Sequence, residues 1–333
     1  MFVNKERLLK LLLILEFAVL VGLIIILLVR DFKLPKAHKD IKIWYFFYIK
    51  NNLKKTQNKK YFVKEDKIQK KKEEKEKYTY DQLKLFVKNI LYYHGVKPVY
   101  KVDVYDKICN FNTNVCNKVK FYKTPFDKKV EYLAIIQFVI KSIDDNLKYS
   151  IKINDVIKSI TIDFSQTRRG YAWHRIILIN AWSIKSNKEF LNVLTHELGH
   201  ILDLGVLNWK SLKKDKSYTE FWEAVFSIDD PSIDFYEISW LTEKIRRGWQ
   251  TYKQFVSWYW MTDPFEDFAE SFNTYMNHYL YFKYLALNDY TLEQKFNFFE
   301  SLFWGFHFFD DVNSLKKVKI SPTRRPRDST LMK

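Results

Sequence analysis

Glycine and cysteine are scarce in this chain, with 7 glycines and 2 cysteines among 333 residues. A fold of many short strands needs glycine in its turns, so this scarcity argues against a turn-rich all-β fold. The two cysteines have six residues between them, which is not the spacing of a zinc knuckle. A disordered chain is excluded too, because 47% of the residues are hydrophobic and the length allows one large or two modest domains.

The formal net charge of +17 lies at the two ends of the chain. Residues 1–77 hold 20 Lys and Arg against 9 Asp and Glu, residues 316–333 hold 7 against 1, and residues 78–315 hold 29 of each. The neutral central part disfavours a nucleic-acid-binding protein, so we expect no nucleic-acid partner. The basic ends suit an anionic membrane surface, although a biased genome composition would also enrich lysine.

An apolar run of 19 residues, 11–29, is broken only by Glu16 and is bracketed by basic residues. About 20 apolar residues span a bilayer as a helix. No small-residue cleavage pattern follows the run, which favours an uncleaved anchor over a signal peptide. We therefore predict a single-pass membrane anchor, with a buried core helix as the alternative.

Two features oppose each other on the membrane orientation. Basic residues after the apolar run outnumber those before it, which predicts a main domain in the cytoplasm. Cys109 and Cys116 flank an Asn-rich stretch that we interpret as the turn of a β-hairpin. A disulfide between them would require an oxidising compartment, whereas two free thiols would not. We expect an extracytoplasmic main domain.

The pattern along the chain divides it into regions and predicts an α+β fold. In the main domain we expect a helix at 128–147 and strands at 159–165 and 171–180. A helix that includes residues 195–201 follows, and then four or five aromatic-rich helices to about His307. The predicted regions are 1–30, a transmembrane anchor; 31–79, a charged linker or stalk; 80–125, a small region with a helix and a β-hairpin; 126–312, the main domain; and 313–333, a basic tail.

The stretch THELGHILDLG, residues 195–205, places His196 and His200 four residues apart. On a helix this spacing puts both imidazoles on one face, where they can bind one Zn²⁺. Glu197 stands beside the first histidine and is positioned to take a proton from a metal-activated water. Ser186 and Glu189 predict a capping box at the start of this helix, and Gly205 predicts its end.

A third ligand must come from elsewhere in the chain, and two candidates compete. The metzincin extension fails, because Asp203 and Val206 stand where glycine and histidine are needed. Glu220 lies at a thermolysin-like distance, but the position of its acidic partner is an alanine. In DPFEDFAESF, residues 263–272, Glu266 and Glu270 share a helical face, so one can bind the metal while the other supports a ligating histidine. We favour Glu266 as the ligand.

HELGHILD together with EDFAESF resembles the motifs H-E-x-x-H-x-x-D and E-x-x-A-E-x-F of anthrax toxin lethal factor and the related Pro-Pro endopeptidases. The resemblance implies a zincin-like metallopeptidase domain with a small antiparallel sheet, an active-site helix and a mostly helical C-terminal part. It also implies a gluzincin-type site with Zn²⁺ bound by His196, His200 and Glu266, and with Glu197 as the catalytic base. Glu270 is then expected to support a ligating histidine.

The same resemblance extends to two further positions and fails at one. Tyr259 stands seven residues before Glu266, where the family has a tyrosine that stabilises the oxyanion. Asp203 matches the family aspartate and is expected to orient the helix. The gap of 66 residues from His200 to Glu266 is long, which leaves the substrate preference open, and no toxin function follows for a tethered chain.

The leading hypothesis is a membrane-anchored zinc endopeptidase that acts on a peptide or protein substrate. The strand preceding the zinc helix, within GYAWHRIILIN, is the candidate edge where an extended peptide would pair, with Trp173 and His174 lining the cleft. The alternative is a catalytically silent member of the same fold that acts as a binding or envelope-scaffold protein.

Overall fold

The computed structural model describes residues 77–92, 98–165, 169–173, 175–207, 211–219, 226–248, 250–258, 262–309 and 325–332. The predicted anchor and nearly all of the predicted stalk lie outside these residues. Within the described part of the chain, no helix has both the length and the apolar character that crossing a membrane requires.

The described elements form a mixed α/β fold with a small sheet and mostly helical content, which agrees with the α+β order expected from the sequence. The helices are α1 (Tyr80–Tyr92), α2 (Val102–Phe111), α3 (Thr113–Lys118), α4 (Phe126–Asn146), α5 (Ile153–Val156), α6 (Asn187–Ile201), α7 (Pro231–Ser239), α8 (Pro264–Asn277), α9 (Tyr279–Ala286) and α10 (Tyr290–Phe303). The strands are β1 (Val119–Tyr122), β2 (Ser159–Asp163), β3 (Gly170–Trp173) and β4 (Ile176–Asn180).

The sheet has the order β1-β2-β4-β3 and is mixed, so the predicted antiparallel sheet is wrong. β1 pairs parallel with β2, and β2 pairs parallel with β4. The connection from β1 to β2 contains α4, and a helical crossover returns the chain to the starting end of the sheet, as parallel strands require. Only β3 is antiparallel, and it occupies one edge.

The segment that we predicted as one strand, residues 171–180, is two strands joined by a tight turn. Tyr171 lies opposite Leu178, and Trp173 lies opposite Ile176. Arg175 in the turn has a φ of 69°, a left-handed conformation that reverses the chain. The turn lacks the Asn-Gly or Asp-Gly pair that usually indicates a hairpin, so the alternation of residues was the only sequence signal.

The predicted β-hairpin around the two cysteines is also wrong, because this stretch forms α2 and α3. The asparagine-rich segment caps a helix instead of turning between strands: the Asn112 side chain accepts a hydrogen bond from Val115 N at 3.2 Å. Cys109 on α2 and Cys116 on α3 form a disulfide with a Cα–Cα distance of 5.2 Å. The disulfide considered from the sequence is therefore present, but it joins two helices and not two strands.

Helix α4 confirms the helix expected at 128–147 and lies at the centre of the core. Residues on both sides of Pro125 pack around it. The Tyr80 hydroxyl lies 2.8 Å from Ser142 Oγ, and the ring of Tyr80 stacks on Phe138. The region before Pro125 therefore shares its hydrophobic core with the region after it.

The end of the predicted basic tail packs against the rest of the fold. We call residues 325–332 the C-terminal segment. Ser329 is fully buried and Thr330 is 5% exposed. Asp328 caps a short 3-10 turn, Ser329–Leu331, by accepting a hydrogen bond from Thr330 N. Part of the predicted basic tail is therefore a capped turn with two buried polar residues.

Candidate metal centre

Helix α6 carries the two histidines and begins as the sequence predicts, with one difference. Ser186 is the N-cap, and its side chain accepts a hydrogen bond from Glu189 N at 3.1 Å. Glu189 does not complete a capping box, because its carboxylate accepts from Lys185 N at 3.0 Å and from Arg169 at 2.7 Å. Glu189 thus fixes the start of α6 to the residue that precedes β3.

The end of α6 differs from the prediction, since Gly205 does not terminate it in a left-handed cap. The α-helix ends at Ile201 and continues as a π-helical turn, Leu202–Val206. A Cβ added to Gly205 would lie 2.6 Å from Val156 Cγ1, so glycine is needed there for close packing. π-helical turns inside longer helices frequently occur at functional sites.

Asp203 lies in this π-helical turn and is fully buried. Its carboxylate accepts a hydrogen bond of 2.5 Å from the Tyr236 hydroxyl on α7. Asp203 therefore links the end of the histidine helix to α7. It does not join the cluster of candidate metal ligands found in the described residues.

Helix α8 carries Glu266 in its first turn. Asp263 is the N-cap and accepts a hydrogen bond from Glu266 N at 2.8 Å, and Pro264 occupies the first helical position. These three roles are as the sequence predicts. The cap leaves the Glu266 carboxylate available for other contacts.

Two small residues allow α6 and α8 to approach closely. A Cβ added to Gly199 would lie 2.8 Å from the Ala269 Cα, a contact with backbone that no side-chain rotation relieves. Gly199 lies between the two histidines along α6, and Ala269 lies between Glu266 and Glu270 along α8. The close approach therefore brings the Glu266 carboxylate near both imidazoles and the Glu270 carboxylate near that of His196.

His196, His200 and Glu266 form a cluster that could hold a metal ion. His196 Nε2 lies 3.3 Å from Glu266 Oε2, and His200 Nε2 lies 3.8 Å from the same oxygen. In a tetrahedral site with ligand bonds of about 2.1 Å, neighbouring ligand atoms are about 3.4 Å apart. The two distances to Glu266 Oε2 are thus close to the separation that one metal ion requires, and all three donor atoms lie within 4.8 Å of one another.

The Glu266 carboxylate supports this interpretation. Its Oε2 atom is buried and accepts no well-aligned hydrogen bond from the described residues. A buried carboxylate oxygen without a donor is costly, so it normally has a partner. A metal ion between this oxygen and the two Nε2 atoms would be such a partner.

Glu270 supports His196 from the other side of the ring. Glu270 Oε1 lies 2.9 Å from His196 Nδ1, although the ring N–H is not aligned with it well enough for a regular hydrogen bond. We regard the two as partners, because both side chains are buried and the distance leaves no room for an intervening group. Glu270 Oε2 accepts from Ser329 N at 2.8 Å and from Ser257 Oγ at 3.2 Å.

The two histidines differ in their electrostatic environment. Burial lowers the pKa of His200 to about 4, so its imidazole is neutral near pH 7, which is the form that binds a metal. Burial would also lower the pKa of His196, but the close contacts with the Glu266 and Glu270 carboxylates and their negative charge raise it well above its usual value. The protein thus holds the two carboxylates beside His196 by charge attraction.

Glu197 is 5% exposed and lies on the side of α6 that faces β3. Burial raises the pKa of its carboxyl to about 8; His196 opposes the rise, and the charges of Glu266 and Glu270 add to it. A carboxyl with a pKa near neutrality can both accept and donate a proton. Gly170, the first residue of β3, faces this carboxylate and was not predicted as a site residue. The available sequence signal was a glycine, scarce in this chain, directly before the strand predicted at 171–180.

Three residues named from the sequence, Tyr259, Glu220 and His174, lie outside the described residues. Trp173 is described and is 42% exposed.

Comparison with known proteins found no matching family model, no matching curated protein and no matching solved structure.

Proposed function

We propose that this chain is a zinc-dependent endopeptidase with His196, His200 and Glu266 as the zinc ligands. The observation that carries the proposal is the position of Glu266 Oε2, 3.3 Å and 3.8 Å from the Nε2 atoms of the two histidines. Glu266 comes from a separate helix, 66 residues after His200. A coincidence of helix capping alone would not direct its carboxylate at both imidazoles.

The donor set of two imidazoles and one carboxylate suits zinc and leaves a fourth position for water or substrate. Zinc, when bound, supplies a Lewis acid that polarises the peptide carbonyl and increases the acidity of water. Burial keeps the His200 imidazole neutral, and the neighbouring histidines lower the pKa of the Glu266 carboxyl, so these two groups have the protonation states that ligands need. Zinc binding would displace the proton that Glu266 and Glu270 favour on His196.

Glu197 is the proposed general base. It follows the first ligand directly on α6, and its carboxyl has a pKa of about 8 because it is buried. It takes a proton from the attacking water and passes that proton to the leaving amine. The presence of a glutamate directly after the first candidate ligand disfavours the alternative of a catalytically silent scaffold.

Tyr259 remains the proposed donor to the oxyanion, on the strength of its position seven residues before Glu266. Asp203 is the proposed orienting residue, supported by its hydrogen bond to Tyr236. The similarity of both positions to the lethal factor and Pro-Pro endopeptidase motifs is part of this proposal.

The substrate is proposed to bind as an extended peptide along β3. This strand forms one edge of the sheet, and its Tyr171 and Trp173 side chains are 43% and 42% exposed. An edge strand can pair with an added strand through its main chain. β3 begins at Gly170, beside the candidate base, so a peptide paired there would lie near the catalytic groups.

The location of the enzyme is also proposed. The apolar run at 11–29 would anchor the chain in a membrane. The Cys109–Cys116 disulfide supports an oxidising compartment, and hence an extracytoplasmic catalytic domain.

The test begins with the metal content of the purified full-length chain. Wild type should carry about one zinc per chain, Glu266→Ala should lose it, and Glu220→Ala should keep it. Zinc lost from the Glu220 variant alone would refute the ligand assignment, and a wild type without zinc would refute the enzyme.

The second part tests catalysis. Hydrolysis of an unstructured protein such as casein should be abolished by Glu197→Gln, while the zinc content stays at the wild-type value. The Gln side chain keeps the shape of Glu197 but cannot take a proton. Equal activity of the two proteins would exclude Glu197 as the base.

A further inference from the structure

The C-terminal segment contacts three parts of the candidate site: the chain before α8, the helices α6 and α8, and Arg169, which precedes β3. At its start, Arg325 donates from Nε to Phe255 O at 2.8 Å and from Nη2 to Lys253 O at 2.7 Å. Pro326 O then accepts a hydrogen bond from Trp258 N at 3.0 Å. These contacts join the segment to the chain that leads into α8.

The middle of the segment lies between the two helices that carry the candidate ligands. Ser329 Oγ accepts a hydrogen bond of 2.6 Å from Asn273 Nδ2 on α8. On the other side, Asn192 Nδ2 of α6 donates to Thr330 O at 3.3 Å and to Met332 O at 3.2 Å. The segment therefore contacts both helices within one 3-10 turn.

The segment also contacts the residue that precedes β3. Arg169 Nη1 lies 3.2 Å from Asp328 Oδ2 and donates to Thr330 Oγ1 at 2.9 Å. The other terminal nitrogen of Arg169 contacts Glu189 at 2.7 Å. One guanidinium thus connects the C-terminal segment to the first turn of α6.

The contact that bears on the metal centre is the hydrogen bond from Ser329 N to Glu270 Oε2 at 2.8 Å. Glu270 is 1% exposed, and a buried carboxylate needs hydrogen-bond donors to remain in place. Its other oxygen lies 2.9 Å from Nδ1 of the candidate ligand His196. The donors at Oε2, Ser329 N and the weaker Ser257 Oγ at 3.2 Å, therefore restrict where Oε1 meets the imidazole.

We propose that the C-terminal segment positions a ligand of the metal centre. The backbone N–H of Ser329 holds the Glu270 carboxylate, and Glu270 in turn orients the imidazole of His196. The inference rests on the proposed zinc site. Groups that orient a ligating histidine commonly change metal affinity by about 10- to 100-fold when they are lost. The position of a candidate ligand thus depends on a residue that follows Glu270 by 59 positions in the sequence.

The test compares Ser329→Pro with Ser329→Ala in the full-length chain. Proline removes the N–H, and alanine keeps it; both remove the hydroxyl that Asn273 contacts. Ser329 is the first residue of its 3-10 turn, and Asp328 before it has φ −155° and ψ 130°, a conformation that the residue before proline readily adopts. The backbone should therefore accept proline.

The measurements are the zinc dissociation constant, by competition with a chromogenic chelator, and the absorption spectrum of the Co²⁺-substituted protein. Relative to Ser329→Ala, we expect Ser329→Pro to bind zinc about 10-fold more weakly and to show an altered Co²⁺ spectrum. In a Glu270→Ala background, the same pair of variants should bind zinc equally, since the proposed effect passes through Glu270.

An amide-to-ester replacement at residue 329 gives a second version of the test. It removes the N–H without adding the atoms of a proline ring, and it should weaken zinc binding in the same direction. Equal zinc affinity and equal Co²⁺ spectra with and without the N–H would overturn the inference. If wild type binds zinc but does not cleave casein, the proposed function fails while this comparison still decides the inference; a wild type that binds no zinc overturns both.

Discussion

Gly170 lies against the carboxylate of Glu197 so closely that a Cβ added to the glycine would lie 2.1 Å from Glu197 Oε1. The same Cβ would lie 3.0 Å from Val193 Cγ1. Strand β3 therefore passes so close to the candidate base that only glycine, which has no Cβ, leaves room for the Glu197 carboxylate.

Gly170→Ala should displace the Glu197 carboxylate and lower kcat for peptide hydrolysis by about 100-fold, because a shift of about 1 Å in a catalytic group can cost that much. Zinc content should not change, since the atoms nearest to the added Cβ belong to Glu197 and Val193 and not to a candidate ligand. The measurements are steady-state hydrolysis and metal content of the same preparation.

Gly248→Ala is the matched control, because a Cβ added at Gly248 meets no atom within 4 Å. This variant should keep wild-type kcat. Equal kcat values for Gly170→Ala and Gly248→Ala would show that the carboxylate of Glu197 has room to move without consequence.

Gly199→Ala should weaken both the fold and the metal site. The new methyl group would meet the Ala269 backbone at 2.8 Å and 3.2 Å, so α6 and α8 must separate. Overpacking of this kind typically costs about 1–3 kcal/mol of stability. Urea unfolding and chelator competition for zinc measure the two effects, and a variant with reduced stability but wild-type zinc affinity would contradict the role of this contact in positioning Glu266.

The candidate ligands could be predicted from the sequence because each belongs to a local pattern. His196 and His200 are one helical turn apart, and Asp263 and Pro264 mark the helix start that carries Glu266. Patterns of this kind depend on backbone periodicity and capping, which operate over a few residues.

The rest could not be predicted, because it depends on contacts between distant residues. Ser329 and Glu270 are 59 residues apart, and nothing near either one indicates the other. The hairpin turn at Arg175 has a positive φ without glycine, and the alternating residues around Cys109 fit short strands as well as short helices. In each case tertiary packing decided between local alternatives of similar energy.

Removal of the disulfide should lower stability without changing the metal site. The Cys109–Cys116 bond closes a short loop, and the loss of such a cross-link is expected to cost about 2 kcal/mol. Helices α2 and α3 pack on α4, and neither cysteine belongs to the candidate ligand cluster, so a Cys109→Ala, Cys116→Ala variant should bind zinc within about twofold of wild type. Urea unfolding and chelator competition test this, and a large loss of zinc affinity would show that the disulfide supports the site.

Asp230 should make the stability depend on pH in a way that an asparagine variant does not. It is 2% exposed, and its side chain caps α7 by accepting from Ser232 N at 2.9 Å. Burial raises its pKa from 3.8 to about 6, an effect only partly offset by the hydrogen bonds from Ser232. The folded state therefore holds the proton more tightly than the unfolded state does.

Because the folded pKa is the higher one, the stability from protonated Asp230 is fully present below pH 3.8 and is lost as the pH rises through about 6. Asp230→Asn keeps the cap and removes the titration. Between pH 4.5 and 7.5, the free energy of unfolding of wild type should fall by about 2 kcal/mol relative to the variant. Urea unfolding of both proteins after treatment with a chelator measures this difference without a contribution from bound metal, and parallel pH profiles would mean that Asp230 is ionised at little cost in the fold.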